Sequence, residues 1–351
     1  MKETNNGLGS CPAPVFPRDA IVLGHGSGGR LTRRLLDDVI LPAFQNPILD
    51  SGHDAAVIEA GGARFAFTTD SYIVHPIVFP GGDIGDLAIN GTVNDLAMCG
   101  ARPLYLSAAL ILEEGFPMEA LHRVVHSMRR AADAAGVLLV TGDTKVVDRG
   151  KGDGVFINTS GIGVVPGHVR IDPSRAAPGD VVIVSGAIAS HGMAIMSVRE
   201  GLEFESPIES DTAPLNDLVA AILAVAPDTH VLRDPTRGGV ASALNEIAAK
   251  SRCGIALNED AIPIDPATEG ACEILGLDPL YVANEGKLIA IVAPEEAAAA
   301  LDAMRGHPLG LRAEIIGEVT ARDPGIVVMK TRVGSTRIVD MLSGEQLPRI
   351  C

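Results

Sequence analysis

The chain reads as α/β, with two domains of mixed sheets and an unpatterned C-terminal tail. Three observations predict this. At 351 residues it exceeds what one ordinary hydrophobic core organises. Short β-branched runs alternate throughout with stretches of helical periodicity. The Pro- and Gly-dense stretch PGHVRIDPSRAAPG, residues 166–179, separates two such series and reads as a linker. The expected organisation is an arm over 1–18, an N-terminal domain over 19–165, the linker, a C-terminal α/β domain over 180–340 and a mobile tail over 341–351.

In the first domain the strand candidates are Ala20–Leu23, Arg64–Thr69, Leu104–Leu112, Val137–Val140 and Val155–Val165. A helix over 117–135 is opened by Pro117, closed by Gly136, and carries Met118, Leu121, Val124, Val125, Met128 and Ala132 at helical spacing. A second, about 85–99, holds Leu87, Ala88, Val93, Leu96 and Ala97. After the linker DVVIVSG starts a new strand, with helices expected near 191–200, 212–225, 238–250 and 294–305 and strands near 287–293, 314–319 and 326–330.

Composition narrows the function. Hydrophobic residues are 47% and charged residues 21%, a globular balance. Aromatics are 3% with no Trp, and the net charge is −16, which together argue against a nucleic-acid platform. A phosphate ligand must be held locally, by backbone N–H groups, a few basic residues or metal ions. Five scattered cysteines without a CxxC pair indicate neither structural zinc nor a disulfide framework. No signal-peptide pattern or membrane-length apolar run is evident, so a reduced, cytoplasmic protein is expected.

Four aspartates recur in turn-like surroundings: Asp54 in GHDAAV, Asp70 in TTDSY, Asp95 in VNDLAMCGA and Asp143 in TGDTKV. Each alone reads as a cap or turn former. Together, in Gly- and Thr-rich contexts, they suit Mg²⁺ shared with nucleotide phosphates. Lys145 could meet a transferring phosphoryl group, or be a solvated loop lysine. LGHGSGGRL, 23–31, is a glycine-rich turn opening a helix, a weak phosphate-cradle signal, in which His25 could touch phosphate or simply its own turn. LRDPTRGGVASALNE, 232–246, places Asp234, Thr236, Arg237 and Gly238 at a helix start, a second anion site. YVANEGKL puts Glu285 in a bend before a strand.

The sequence ends LPRIC, with Cys351 at the terminus. A terminal thiol is either tolerated there or wanted for its reach. A tail of roughly ten residues at about 3.3 Å each could swing roughly 30 Å.

HDAAV, TTDSY, NDLAMCGA, TGDTKVV and RDPTRGG resemble the superfamily of aminoimidazole ribonucleotide synthetase, selenophosphate synthetase and thiamine-monophosphate kinase. HGSGG, FPGGDIGDLAINGTVNDLAMCGA, ILEEGFP, NEGKL and the terminal PRIC resemble the HypE family of hydrogenase-maturation carbamoyl dehydratases, from about residue 20 onward. The resemblance implies an aminoimidazole ribonucleotide synthetase-like two-domain fold, a homodimer through the N-terminal sheets, ATP and Mg²⁺. It implies metal ligation by Asp54, Asp70, Asp95 and Asp143, and nucleotide contacts from Gly26, Gly28, Gly29, Asn94, Thr144, Asp234, Thr236, Arg237 and Gly238. Cys351, Glu285, His25 and Lys145 become the catalytic candidates. Cys351 would receive a carbamoyl group from the carbamoyltransferase HypF, and ATP would drive its dehydration from S-carboxamide to S-cyanate. The cyano group would pass to iron on the HypC–HypD complex for [NiFe] hydrogenase. Two other readings compete: a sister ATP-dependent enzyme of the selenophosphate synthetase or small-molecule kinase type, and a metal-delivery scaffold using Cys351 as a soft ligand. The first leaves Cys351 without a role, the second leaves the phosphate motifs without one.

Overall fold

The computed structural model describes residues 20–202, 207–342, 347 and 349–351. The expected arm and Cys11 lie outside the described residues, as do tail positions 343–346 and 348. The first series contains β1 (Ala56–Ala60), β2 (Ala63–Tyr72), the short pair β3 (Val78–Phe79) and β4 (Gly82–Asp83), β5 (Arg102–Glu113), β6 (Leu138–Val147) and β7 (Val155–Val165). Its main sheet runs β1-β2-β7-β5-β6, and only the β5–β6 pair is parallel. The second series contains β8 (Val181–Val184), β9 (Val231–Arg233), β10 (Gly254–Asn258), β11 (Ile289–Val292), β12 (Glu314–Thr320), β13 (Val327–Lys330) and β14 (Thr336–Ile338). These form a mixed sheet in the order β14-β13-β10-β12-β8-β11-β9.

The helices are α1 (Arg30–Leu35), α2 (Leu41–Phe44), α3 (Ile84–Met98), α4 (Met118–Ala135), α5 (Ser190–Glu200), α6 (Asn216–Val225), α7 (Gly239–Ser251), α8 (Pro266–Leu275) and α9 (Pro294–Arg305). α4 has the expected limits, with Pro117 before it and Gly136 at φ +68° after it. α3 is apolar nearly all round because it lies between the first sheet, α4 and the second series, where it meets α6 and β9. Asp83 caps it, accepting from the Gly85 and Asp86 N–H groups at 2.8 and 3.3 Å. Gly91 on α3 is required by close approach: a Cβ there would lie 2.2 Å from the Tyr72 hydroxyl.

Strand register decides which motifs can meet. Asp70 pairs Thr159, Thr159 pairs Ala108, and Ala108 pairs Gly142. Thr159 and Ala108 are buried, so this row faces the helices. Asp143 falls in the next row, Ser71–Asn158–Ala109–Asp143, and side chains alternate between faces. Asp143 therefore lies on the opposite face from Asp70. That outer face also carries an apolar row across four strands, Phe67–Ile162–Tyr105–Leu138, with Phe67, Tyr105 and Leu138 at 47, 46 and 63% exposure.

Several expectations are corrected. Ala20–Leu23 is no strand; a 3₁₀ turn, Leu23–Gly26, ends that stretch. Val137–Val140 is the start of a longer strand reaching Val147, so Asp143 lies within a strand and not at its end, as Asp70 does in β2. The linker is packed: Val169, Ile171 and Pro173 are buried. The tail's last residues are docked, with Ile350 and Cys351 3 and 8% exposed. β1, β9, β10 and α8 were not anticipated.

Candidate active site

Between the two series lies a cavity of about 440 Å³, and its lining draws on both. From the first come Gly28, Gly29, Thr32, His53, Asp54, Thr68, Asp70, Gly91 and Asp95; from the second come Arg233, Asp234, Thr236, Arg237, Glu246, Glu285 and Cys351. Local sequence explains the convergence. Gly28 has φ +75°, and a Cβ there would stand 2.8 Å from Cβ and O of Arg237, so the two glycine-rich motifs touch only because Gly28 has no side chain. Arg30 N–H donates to the Leu342 carbonyl at 2.9 Å, tying the same loop to the start of the tail.

Asp54 precedes β1, Asp95 projects from α3, and Asp234 follows β9. Oxygens of these three carboxylates all lie within 4.8 Å of one another. The Thr68 hydroxyl sits 2.8 Å from Asp95 Oδ2, and Arg233 holds Asp54 Oδ1 at 2.6 Å while reaching Glu246 on α7 at 2.6 Å. Burial pushes all three carboxyls above the usual range, and their mutual repulsion adds to it; Arg233 pulls Asp54 and Asp234 back down. Asp54 Oδ2 is buried without a hydrogen-bond partner. Seven carboxylates line the cavity against three guanidiniums. Hard oxygens crowded this closely, one of them unpartnered, suit a divalent cation with an oxygen preference.

Glu285 is 3% exposed and its Oε1 is buried without a partner. Its carboxyl is held well above the usual range, first by burial, then by the Asp234, Asp70 and Asp211 charges. Asn94 fixes its backbone: Nδ2 donates to the Glu285 and Ala213 carbonyls at 3.2 and 3.1 Å, while Oδ1 accepts from Leu215 N–H at 2.8 Å. Cys351 shares this end of the cavity. Burial pushes its thiol up to about 12, and the nearby Arg237 opposes that.

The structure sorts the sequence candidates. Asp54, Asp70, Asp95, Asp234, Gly28, Gly29, Thr236, Arg237, Glu285 and Cys351 come together. Asn94 does not line the cavity, because its amide is spent as a brace behind Glu285. His25 turns back on itself, its Nδ1 accepting from Val22 N–H at 3.0 Å, and neither it nor Gly26 reaches the cavity. Gly238, at φ +77°, packs against Ser242 as the residue before α7 and supports the loop without lining the cavity. Asp143, Thr144 and Lys145 are exposed on edge strand β6, where Lys145 Nζ pairs with Asp143 Oδ2 at 2.5 Å. Of the four aspartates expected to hold metal, Asp54 and Asp95 meet in the cluster, Asp70 lines the cavity outside it and Asp143 lies elsewhere, while Asp234 is the cluster's third member. Arg233, Glu246 and His53 were missed. Arg233 alone carried a signal, as the cation next to Asp234 in LRDPTRGG.

The sheet pair and the acidic cavity between them define an AIR synthase related protein. Residues 52–165 match the AIR synthase related N-terminal domain and 177–330 its C-terminal domain. The chain belongs to the HypE family of carbamoyl dehydratases within that group: it is 57% identical over 332 residues to carbamoyl dehydratase HypE of Cupriavidus necator, covering 94% of this chain and 95% of that protein. HypE of Escherichia coli is 46% identical, with 94 and 99% covered. Among solved structures, a HypE bound to ATP superposes with a TM-score of 0.80 at 50% identity, covering 95% of this chain and all of that one. The HypE–HypF complex gives 0.84 at 48%, covering 88 and 99%. The chain is therefore an enzyme of this family. No helix among the described residues is long and apolar enough to cross a membrane.

Proposed function

We propose that this protein uses ATP to dehydrate a carbamoyl group carried on Cys351, converting an S-carboxamide to an S-cyanate for hydrogenase metallocentre assembly. The observation that carries the reading is the placement of the chain's last residue, a thiol, inside the acidic cavity beside Glu285 and Arg237. A sister kinase or synthetase has no use for that thiol. The named relatives support the same assignment: they are carbamoyl dehydratases, one seen with ATP and one with HypF.

The chemistry follows from the site. An amide oxygen is a poor leaving group until it takes the γ-phosphoryl group, whereupon the nitrogen gives up one proton and becomes an imidate. Loss of the second N–H proton with departure of phosphate leaves S–C≡N, with ADP and phosphate as co-products. Asp54, Asp95 and Asp234 would hold Mg²⁺, with Asp70 beside them, and the cation would supply charge for the nucleotide phosphates. Gly28, Gly29, Thr236 and Arg237, which line the same cavity, would contact those phosphates. Glu285 takes protons from the carbamoyl nitrogen. Docked, the buried thiol is a poor nucleophile, so loading by HypF requires the tail outside, and the product leaves by the same route to HypC–HypD.

The test is mass spectrometry of the C-terminal peptide after incubation with carbamoyl phosphate, the carbamoyltransferase and ATP. A carbamoyl adduct on Cys351 should form and then lose the mass of one water as phosphate appears. Modification elsewhere, with Cys351 unchanged, would rule the reading out.

Asp234→Asn should lower Mg²⁺-dependent ATP turnover by at least tenfold while carbamoyl loading persists, since one hard ligand of three is lost. A steady-state Mg²⁺ titration reads it, and an unchanged Mg²⁺ requirement counts against the cluster.

The protein also acts as a homodimer in this reading. β5, which holds the apolar run Leu104–Leu112, is bonded on both sides, so it offers no edge for a dimer. The outer face with the exposed Phe67, Tyr105 and Leu138 is the contact surface in this reading. Asp143 and Lys145 lie on that face, so their route into chemistry is through a second copy. Tyr105→Glu should shift the protein to monomer by light scattering and reduce ATP turnover in parallel. A Tyr105→Glu protein that remains a dimer refutes this surface.

A further inference from the structure

The terminal residues are gripped by their main chain. The Cys351 terminal carboxylate and the Arg349 carbonyl accept from the Ile73 and His75 N–H groups at 3.1 and 3.2 Å, so the tail lies along the segment following β2. The Ile350 carbonyl between them turns the other way. There it meets Nε2 of His191, at 2.8 Å. His191 is wholly buried at the start of α5, with the Phe79 ring edge-on at a centroid distance of 5.5 Å. Its other nitrogen, Nδ1, is 2.8 Å from the Ser210 hydroxyl, whose oxygen also accepts from Thr212 N–H at 3.2 Å. The Ile350 carbonyl can only accept, so the neutral ring carries its proton on Nε2, and Nδ1 accepts from the Ser210 hydroxyl. Arg199, further along α5, donates to the Arg349 carbonyl, and Arg349 pairs with Asp153. Arg349 itself has φ +51°, a left-handed turn that bends the chain into the cavity.

We propose that His191 is a positioning residue for the reaction, a latch whose Nε2–H fixes the Ile350 carbonyl and so sets Cys351 in register with Glu285. The proposal rests on the reading that Cys351 is the carrier, but its primary test does not. The asymmetry of the two edges gives the latch its strength. Ile73 and His75 are exposed, so their N–H groups return to water when the tail leaves. His191 is sealed, so its donor loses its partner unless water follows. Reading carbonyls, the latch grips the docked tail by its backbone and leaves the sulfur free to carry its adduct.

The experiment measures alkylation of Cys351 by iodoacetamide in carbamoyl-free protein, followed on the C-terminal hexapeptide released after Glu345. His191→Phe keeps the ring in the pocket and removes the donor, stranding the Ile350 carbonyl in the docked state. Alkylation should accelerate about tenfold or more. His191→Gln, with an amide donor, should fall back toward the native rate. On pre-carbamoylated protein, single-turnover dehydration by His191→Phe should slow by a similar factor while loading by the carbamoyltransferase does not. Equal alkylation of native and His191→Phe protein overturns the latch. Should His191→Phe fail to fold, Arg199→Gln decides: faster alkylation supports the latch, and a native rate overturns it. Failure of the carrier reading looks different, because alkylation would still respond while no carbamoyl adduct forms on Cys351.

Discussion

Cys351→Ala is expected to fold, bind nucleotide and accept no carbamoyl group at all. The loss should be complete because, in the proposed reading, the Cys351 sulfur carries the substrate; the effect is on covalent chemistry and not on affinity. The fold should tolerate it. Cys351 is buried, but its side chain is small, and the docking bonds of the last three residues run through the Arg349 and Ile350 carbonyls, the terminal carboxylate and the Arg349 side chain, none of which the substitution removes. Truncating one sulfur is expected to change stability by about 1 kcal/mol or less. Cys351→Ser is the sharper control: it keeps the size and lowers the nucleophilicity, so it too should remain unmodified. Intact-mass measurement before and after incubation with the carbamoyltransferase reads both. A carbamoyl adduct on either variant would falsify the carrier assignment. Native ATP binding in both would show that the remaining cavity is intact.

Much of the fold was legible because its strongest elements are locally consistent. α4 combines helical periodicity with Pro117 and Gly136 at its ends, and its limits follow from those residues alone. β9 and β10 are short, at three and five residues, and their burial does not alternate strictly enough to betray them. The site divided along the same line. Motifs whose chemistry is local, such as the glycines of the 23–31 loop and the start of α7, were found in sequence. What pairs with what was not. Asp70 and Asp143 follow similar Thr/Gly-rich strands and look equivalent, yet one step of register places them on opposite faces of a sheet. Asp234 looked like a helix-start residue and instead stands within 4.8 Å of two aspartates from the other series. Asn94, polar inside an apolar helix, carried a real signal, but its object was the Glu285 backbone and not a nucleotide. The docked tail left no periodic trace because main-chain oxygens and the one Arg349 side chain hold it.

Glu285→Gln is expected to accept carbamoyl on Cys351, bind ATP, and stall at the S-carboxamide, with single-turnover cyanate formation down by about 10²–10⁴. Asp54, Asp95 and Asp234 are committed to the cation in this reading, and His25 stays in its own turn, so Glu285 is the carboxyl left to take nitrogen protons. Burial first, then the neighbouring Asp234, Asp70 and Asp211 charges, raises its proton affinity. The same shift predicts an effect on stability with a definite sign. Its ordinary value is 4.5, and the folded state holds the proton above that. From pH 4.5 upward the unfolded chain releases this proton before the folded one does, so the unfolded state binds fewer protons and folding stability falls as pH rises. Gln cannot ionise and does not suffer that loss. Glu285→Gln should therefore melt higher than the native protein at pH 7, with the gap closing as pH is lowered toward 4.5. Thermal melts across that window, alongside the mass of the tail after ATP addition, separate two outcomes. A stabilised protein stalled at the S-carboxamide identifies Glu285 as a base held at a cost to the fold. A stabilised protein that still makes the S-cyanate leaves Glu285 a buried acid without a part in the chemistry.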